Sequence, residues 1–427
     1  MVKQTAFWVL LSLSAIPLDA SAQKADALLL PAWRHPEFSI SLGPEETLLT
    51  LPQREALGFE FGPPDGYLGV YEHQGTYSFF VPAQSNSSCS TPSTQGTYRL
   101  GGSLTQLTSA YGCSAVLENG ADPNGYSFDR DYSGGGPVAE VWSGDTRGLL
   151  MVYHGEWHPG GLCDSVPWFY GSLGMAFSTD GGSTFSSLGE IIQPYPTRSQ
   201  GLGTMPNCTN AHVGFGTLVV GDENGNPISD HDSVDPDRVY FYVFYNDSDP
   251  SLPSPCDKGN YCIGVARAQR SAVMSAAFSG DTAIFPTLFQ KYYNGSFSQP
   301  GTGQDPDNAV NSGHYTPIFP QVASQPSVIY DWAINQFLLA YQTDFQLHIQ
   351  SSPNLLQWSG IPLPNGSVSD LPNLIGYITL VGEGALPSAG GFDPYVFYLS
   401  AASPAFPDWG EAGTLYVSRR IHIRLGP

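Results

Sequence analysis

The run V-Y-F-Y-V-F-Y-N-D at residues 239–247 sets seven apolar or aromatic residues in a row and then ends in polar ones. An apolar run this short, rich in Val, Tyr and Phe, reads as a β-strand covered on both faces. The same pattern returns as T-Y-S-F-F-V-P-A-Q at 76–84, L-L-M-V-Y-H-G-E at 149–156, F-L-L-A-Y-Q-T-D at 337–344 and Y-V-F-Y-L-S at 395–400. A further strand follows most copies: L-G-M-A-F-S-T-D at 173–180, I-G-V-A-R-A at 263–268, L-H-I-Q-S-S at 347–352 and L-Y-V-S-R-R at 415–420. The unit recurs about every 70 residues, with no run of helical periodicity between copies. A small antiparallel sheet cannot bury both of its faces alone, so the units must stack around an axis. The expected fold is all-β, a five-bladed β-propeller.

Composition agrees. The 427 residues include 48 Gly, 36 Pro, 23 Tyr, 23 Phe and 8 Trp, and 41% are hydrophobic. That excludes disorder and long-helix proteins. With 38 Asp+Glu against 16 Lys+Arg, the formal charge is -22, the wrong sign for a nucleic-acid binder.

The chain opens with one Lys, an apolar run from Ala6 to Ile16 and the small-x-small sequence at 20–22. The run is too short to span a bilayer, so residues 1–22 read as a signal peptide. Residues 23–59 are expected to wrap the outside or close the ring, and 60–427 to form the propeller. The mature protein is expected to be secreted, extracellular and free of membrane spans. Six cysteines in a secreted chain favour disulfides. Short separations favour Cys89 with Cys113 and Cys256 with Cys262, leaving Cys163 with Cys208, although six cysteines allow fifteen pairings. Sequons stand at Asn86, Asn207, Asn246, Asn294 and Asn365, and extensive glycosylation favours a monomer.

Two motifs carry a family resemblance. S-T-D-G-G-S-T-F at 178–185 is similar to the Asp-box of sialidase-like propellers, where the Asp staples a tight turn away from the active centre. Asp65, in P-P-D-G-Y-L-G-V-Y at 63–71, resembles the Asp at the mouth of the first inner strand in the five-bladed glycoside hydrolases of families 43, 32, 62 and 117. Their Asp-Pro is Asp-Gly here, and P-P-D-G is itself a good β-turn. The resemblance implies a nucleophile or general base at Asp65.

In a propeller, the loops that enter inner strands and leave second strands meet at one end of the axis. Y-H-G-E-W-H at 153–158 is such an exit, and it is dense in functional groups. Glu156 suits a general acid if Trp157 desolvates it and raises its pKa. His154 and His158 suit hydrogen bonds to sugar hydroxyls, and Trp157 suits stacking on a sugar ring. Zinc is the weaker reading of the two histidines, because imidazoles on a strand need not converge, and no catalytic metal is expected. Asp131, before blade two's inner strand, and Glu140, within it, are the candidates for a third carboxylate. The resembling families place their acid Glu on blade three, and the blade-three opening N-C-T-N-A-H-V-G at 207–214 has none.

His212, His314, Gln342 and Asp344 are further candidates at the mouth. Asn246 and Asp247 occupy blade three's exit, where a glycan on Asn246 would obstruct the pocket. Residues 230–237 hold four carboxylates, a conceivable structural calcium site, although a solvated hairpin loop is favoured. The expected function is a glycoside hydrolase acting on plant-wall or microbial oligo- or polysaccharide, arabinose-containing chains included. A lectin would repeat its site in every blade, and these exits differ. A polysaccharide lyase would need a cation near the pocket, for which Arg198 is the nearest candidate.

Overall fold

The computed structural model describes residues 38–61, 66–89, 95–118, 120, 127–158, 162–163, 166–167, 169–195, 211–228, 235–247, 252–256, 260–303, 312–358, 367–368, 374–382, 394–401 and 414–425. Five antiparallel sheets follow one another along the chain as the blades of a propeller. The second strands are Thr76–Ser85, Thr146–Trp157, Val239–Asp247, Gln336–Thr343 and Tyr395–Ala401, each within a few residues of its sequence expectation.

Alternation along Val239–Asp247 explains its unbroken apolar run. Phe241, Val243 and Tyr245 pack toward blade two, in a cluster with Leu150, Val152, Leu173 and Met175. Tyr242 and Phe244 turn to the other side, in a cluster with Val328, Phe337 and Leu339 of blade four. Each junction between neighbouring blades holds one such cluster. Both faces of every blade are thus removed from water, which is the main source of stability in a ring of this kind.

The ring closes through its N-terminal strands. Phe38–Leu42 and Glu46–Leu49 both pair antiparallel with the last strand, Thr414–Leu425, inside blade five. On the axis all five inner walls meet around a small cavity of about 10 Å³, with Leu68, Val138, Thr217, Val328 and Leu380 among its lining residues.

Helices depart from expectation, the short Leu51–Ala56 and Phe285–Leu288 and one longer one. Arg270–Ser279 is an α-helix that ends on Gly280 at φ 71°. Its buried face is Val273, Ala276 and Ala277, a helical spacing carried mostly by alanines, which hides it in a search for large apolar residues. The disulfides Cys89–Cys113 and Cys256–Cys262 are formed. Cys208 lies outside the described residues, as do residues 1–22, Asn207, Asn365, Arg198 and Asp230 to Val234. Among the described residues no helix is long and apolar enough to cross a membrane.

Asp180 ties down the turn at 178–185. Its carboxylate accepts hydrogen bonds from Ser178 Oγ, Ser183 N, Thr184 N and Thr184 Oγ1, at 2.7–3.0 Å. The turn lies at the start of the hairpin after Tyr170–Ser178, at the end of blade two opposite Glu156.

Candidate active site at the mouth of the propeller

On a strand, residues two apart share a face. His154 and Glu156 at the end of Thr146–Trp157, with His158 just beyond, therefore project to one side. Gly155 between them keeps the other side open: a Cβ there would lie 2.7 Å from the Phe128 ring and 2.9 Å from Asp129 Cβ. The segment 127–131 packs into that space.

Glu156 is clasped by its neighbours. Its Oε1 lies 3.0 Å from His154 Nε2 and its Oε2 lies 2.7 Å from His158 Nε2. The side chains are 11%, 19% and 36% exposed for His154, Glu156 and His158. Burial pushes the Glu156 carboxyl up, but the hydrogen bonds from the His154 and His158 imidazoles outweigh it. The result is a pKa lowered to about 2. This reverses the sequence expectation of a raised pKa. The reason is the clasp: the carboxyl is desolvated as expected, but the hydrogen bonds from His154 and His158 to the ionised form outweigh that burial. Trp157 has Arg130 6.0 Å from its ring. His158 is held above the usual imidazole range, first by its bond to Glu156.

Asp131 braces this exit from behind. It pairs with Arg130 at 3.0 Å and accepts the His158 backbone N–H, while its own N–H donates to Glu156 O at 3.0 Å. Its carboxylate is thus engaged with Arg130 and the main chain.

His212 reaches the cluster from a two-residue strand, Ala211–His212, paired parallel to the head of Tyr170–Ser178. Its ring meets His154 edge to face at 4.9 Å. Burial, then the charge of His154, lowers its pKa to about 3, so His212 is neutral. Its Nδ1 lies 3.2 Å from Tyr261 OH, and burial together with the Asp247 charge pushes that phenol up to about 12.

The floor of the mouth is aromatic. Phe215 packs on Tyr67 at 5.3 Å, His212 at 5.7 Å, Tyr377 at 5.6 Å and His154 at 6.2 Å. Phe215 has φ 57°, a left-handed conformation uncommon for a bulky residue. Gln325 and Tyr377 repeat it, at 56° and 59°. Each sits where an inner strand of blades three, four and five carries a register shift. Two residues later comes a hydroxyl, Thr217, Ser327 or Thr379, that accepts a backbone N–H from the next inner strand: Val328, Leu380 and Leu68 respectively, at 3.4, 2.8 and 3.2 Å. Sequence reasoning missed this device, although the recurring triplets F-G-T, Q-P-S and Y-I-T at 215–217, 325–327 and 377–379 announce it.

The other expected residues divide. Asn246 is 1% exposed and its Oδ1 accepts the Gln325 N–H at 3.2 Å, a burial that leaves no room for a glycan there. Asn86 and Asn294 are not buried. Gln342 is buried at the end of its strand opposite Ser324, beside Gln325, and Asp344 is exposed at the tip of the following hairpin. Glu140 is elsewhere: it pairs with Leu149, seven residues back from Glu156, or roughly 23 Å along the strand. There its carboxylate takes hydrogen bonds from Tyr71 OH and Trp142 Nε1. His314 stacks on Tyr195 and Tyr293, apart from the Glu156 cluster. Asp65 lies outside the described residues, which resume at Gly66, next to Tyr67 of the floor. Among the described residues no three His, Cys, Asp or Glu side chains are arranged to hold a metal ion.

No family model and no curated protein matches this sequence. Among solved structures, the chain is similar to a thermostable family-43 glycoside hydrolase, at 14% identity and TM-score 0.42, over 84% of this chain and 88% of that one. It is also similar to an α-L-arabinofuranosidase from Lactobacillus brevis, at 12% identity and TM-score 0.41, over 82% and 89%. A third is the catalytic domain of a Coprinopsis cinerea family-62 α-L-arabinofuranosidase, at 10% identity and TM-score 0.40, over 90% and 97%. At such identities the likeness bears on fold alone, and the five blades stand on this chain's own strand pairing.

Proposed function

We propose that this chain is a secreted glycoside hydrolase with Glu156 as its ionised carboxylate. The observation that carries the reading is the clasp of Glu156 between His154 and His158 above an aromatic floor. Glycosidic cleavage needs one ionised and one protonated carboxyl around an oxocarbenium-like transition state. A carboxyl with a pKa near 2 is ionised at any working pH, so it suits the base or nucleophile, and the acid role first given to Glu156 passes to another group. Asp65 becomes the candidate proton donor, which exchanges the two roles expected from sequence. Asp131 serves as a brace, and Glu140 takes no part. The substrate class we favour is a neutral plant-wall or microbial polysaccharide, arabinose-containing chains among them.

The five strand exits differ: Gln84, His154 with Glu156, Asn246, Gln342 and Ser400. One unequal site suits an enzyme better than a lectin. A lyase would draw on the neutral His212, 3.2 Å from the Tyr261 hydroxyl, but an imidazole lowered to about 3 and a phenol raised to about 12 are a weak base and a weak acid.

The test is reducing-sugar release from a polysaccharide panel at mildly acidic pH by wild type, Glu156→Gln and Asp65→Asn. Loss of release in both folded variants supports the proposal. Full activity in Glu156→Gln sinks it. Products with ultraviolet-absorbing unsaturated ends select the lyase, and binding without cleavage selects the lectin.

A further inference from the structure

A second concavity, a cleft of about 550 Å³, lies over the rim of blade three. Strand directions put it on the same face as Glu156. Val239–Asp247 runs toward the mouth, and residues 252–256, which form one wall, belong to the connection that follows it. The tip of the hairpin between Gln290–Tyr293 and Ser296–Pro300 forms a second wall, and residues 314–320, leading to blade four, form the third. The Cys256–Cys262 disulfide fastens the first wall to the head of the next strand.

Two features describe what such a cleft can take. First, rings dominate one side: His314 stacks on Tyr195 at 4.0 Å and 16° and on Tyr293 at 5.8 Å and 20°. Second, among the described residues the lining contains no Asp, Glu, Lys or Arg, while Ser254, Asn294 and Thr316 supply neutral polar groups. A charged ligand would lose its hydration against these residues with no countercharge from them in return. A sugar ring matches both features, with apolar C–H faces for the aromatic rings and hydroxyls for the neutral polar rim. The volume falls within the roughly 300–1,000 Å³ of small-ligand sites. The cleft also backs onto the mouth. Tyr315, buried in its wall, donates its hydroxyl to Asp247 O at 2.9 Å, and the neighbouring Asn246 holds Gln325 of the mouth.

We propose that this cleft is an accessory binding site for neutral saccharide units of a chain whose reacting bond lies at Glu156. This rests on the glycosidase reading, so the test separates the two. Affinity electrophoresis in gels containing arabinan, galactan or xylan, with polygalacturonate as the anionic control, compares wild type with Tyr293→Ala. Kinetics follow on the retarding polymer and on an aryl monosaccharide too short to reach the cleft.

The expected result is retardation by a neutral polymer that Tyr293→Ala abolishes, with KM for the polymer raised about tenfold and kcat on the aryl monosaccharide as the internal control. Tyr293-dependent retardation without hydrolysis of any substrate also supports the cleft, and there the glycosidase reading alone falls. Unchanged retardation and polymer KM in a folded Tyr293→Ala overturn the proposal, as does retardation by polygalacturonate alone. Asn294→Gln removes the sequon at the rim. Binding that appears only in that variant shows the cleft to be filled by the chain's own glycan, and also overturns it.

Discussion

Glu156 Oε2 lies 2.7 Å from His158 Nε2, and each group fixes the charge of the other. The carboxyl is lowered to about 2 and the imidazole is raised. Asp131 holds the His158 backbone N–H from the other side, so the dyad is positioned through main chain as well as side chain.

Replacing Glu156 with Gln keeps the shape and removes the charge. If Glu156 is the base or nucleophile, kcat falls by about 10²–10⁴-fold. The His158 pKa, read by NMR titration, falls back toward its ordinary value. A kcat within twofold of wild type in a folded variant would remove Glu156 from the chemistry. The same variant carries a stability signature. A carboxyl depressed from 4.5 to about 2 stabilises the fold above its unfolded pKa and loses that contribution as pH falls through the folded value. Urea midpoints between pH 4.5 and 2 should therefore fall more steeply in wild type than in Glu156→Gln.

His212 titrates in the opposite sense to His158. It is buried and neutral, with its pKa lowered from 6.5 to about 3. Below pH 6.5 the unfolded chain takes up a proton that the folded chain refuses, so stability falls progressively toward pH 3. His212→Gln keeps a neutral polar group and flattens that part of the curve. An identical pH dependence in the variant, followed by thermal melting, would assign the slope to other groups.

The blades were legible in the sequence because packing on both faces demands long apolar runs, and Val239–Asp247 shows both faces in use. The exit at 153–158 was legible for a related reason, since charged residues at the end of such a run are not there to fill a core. The direction of the Glu156 shift was not legible. It depends on how closely two imidazoles approach the carboxylate, distances that spacing alone does not fix. Glu140 lies far from Glu156 because a place within the inner strand says nothing about height along the blade. His212 was a lone histidine in the sequence, and only the short parallel pairing of Ala211–His212 brings it to His154.

The hydroxyls that link inner strands give a prediction about the axis. Thr379→Val preserves shape but leaves the buried Leu68 N–H without its Thr379 acceptor. The cost of such an orphan is about 1–3 kcal/mol. Chemical denaturation should show that loss with an unchanged slope. A variant as stable as wild type would show that Leu68 N–H finds another partner and that the link contributes nothing.

Gly155 is the residue on which the site depends without touching a substrate. Any Cβ there meets the Phe128 ring at 2.7 Å and Asp129 at 2.9 Å. Asp129 is itself fixed by Tyr153, whose hydroxyl donates to Oδ2 at 2.7 Å, so the clash is not relieved by turning one side chain. The segment 127–131 must move, and Asp131 moves with it, loosening its hold on the His158 N–H. Gly155→Ala is therefore expected to lose roughly 1–3 kcal/mol, the usual cost of overpacking. It should also bring the His158 pKa down toward its ordinary value, although Glu156 and His158 are both intact. A variant that loses stability while the His158 titration stays in place would show that strand position alone, without Asp131, orients the imidazole.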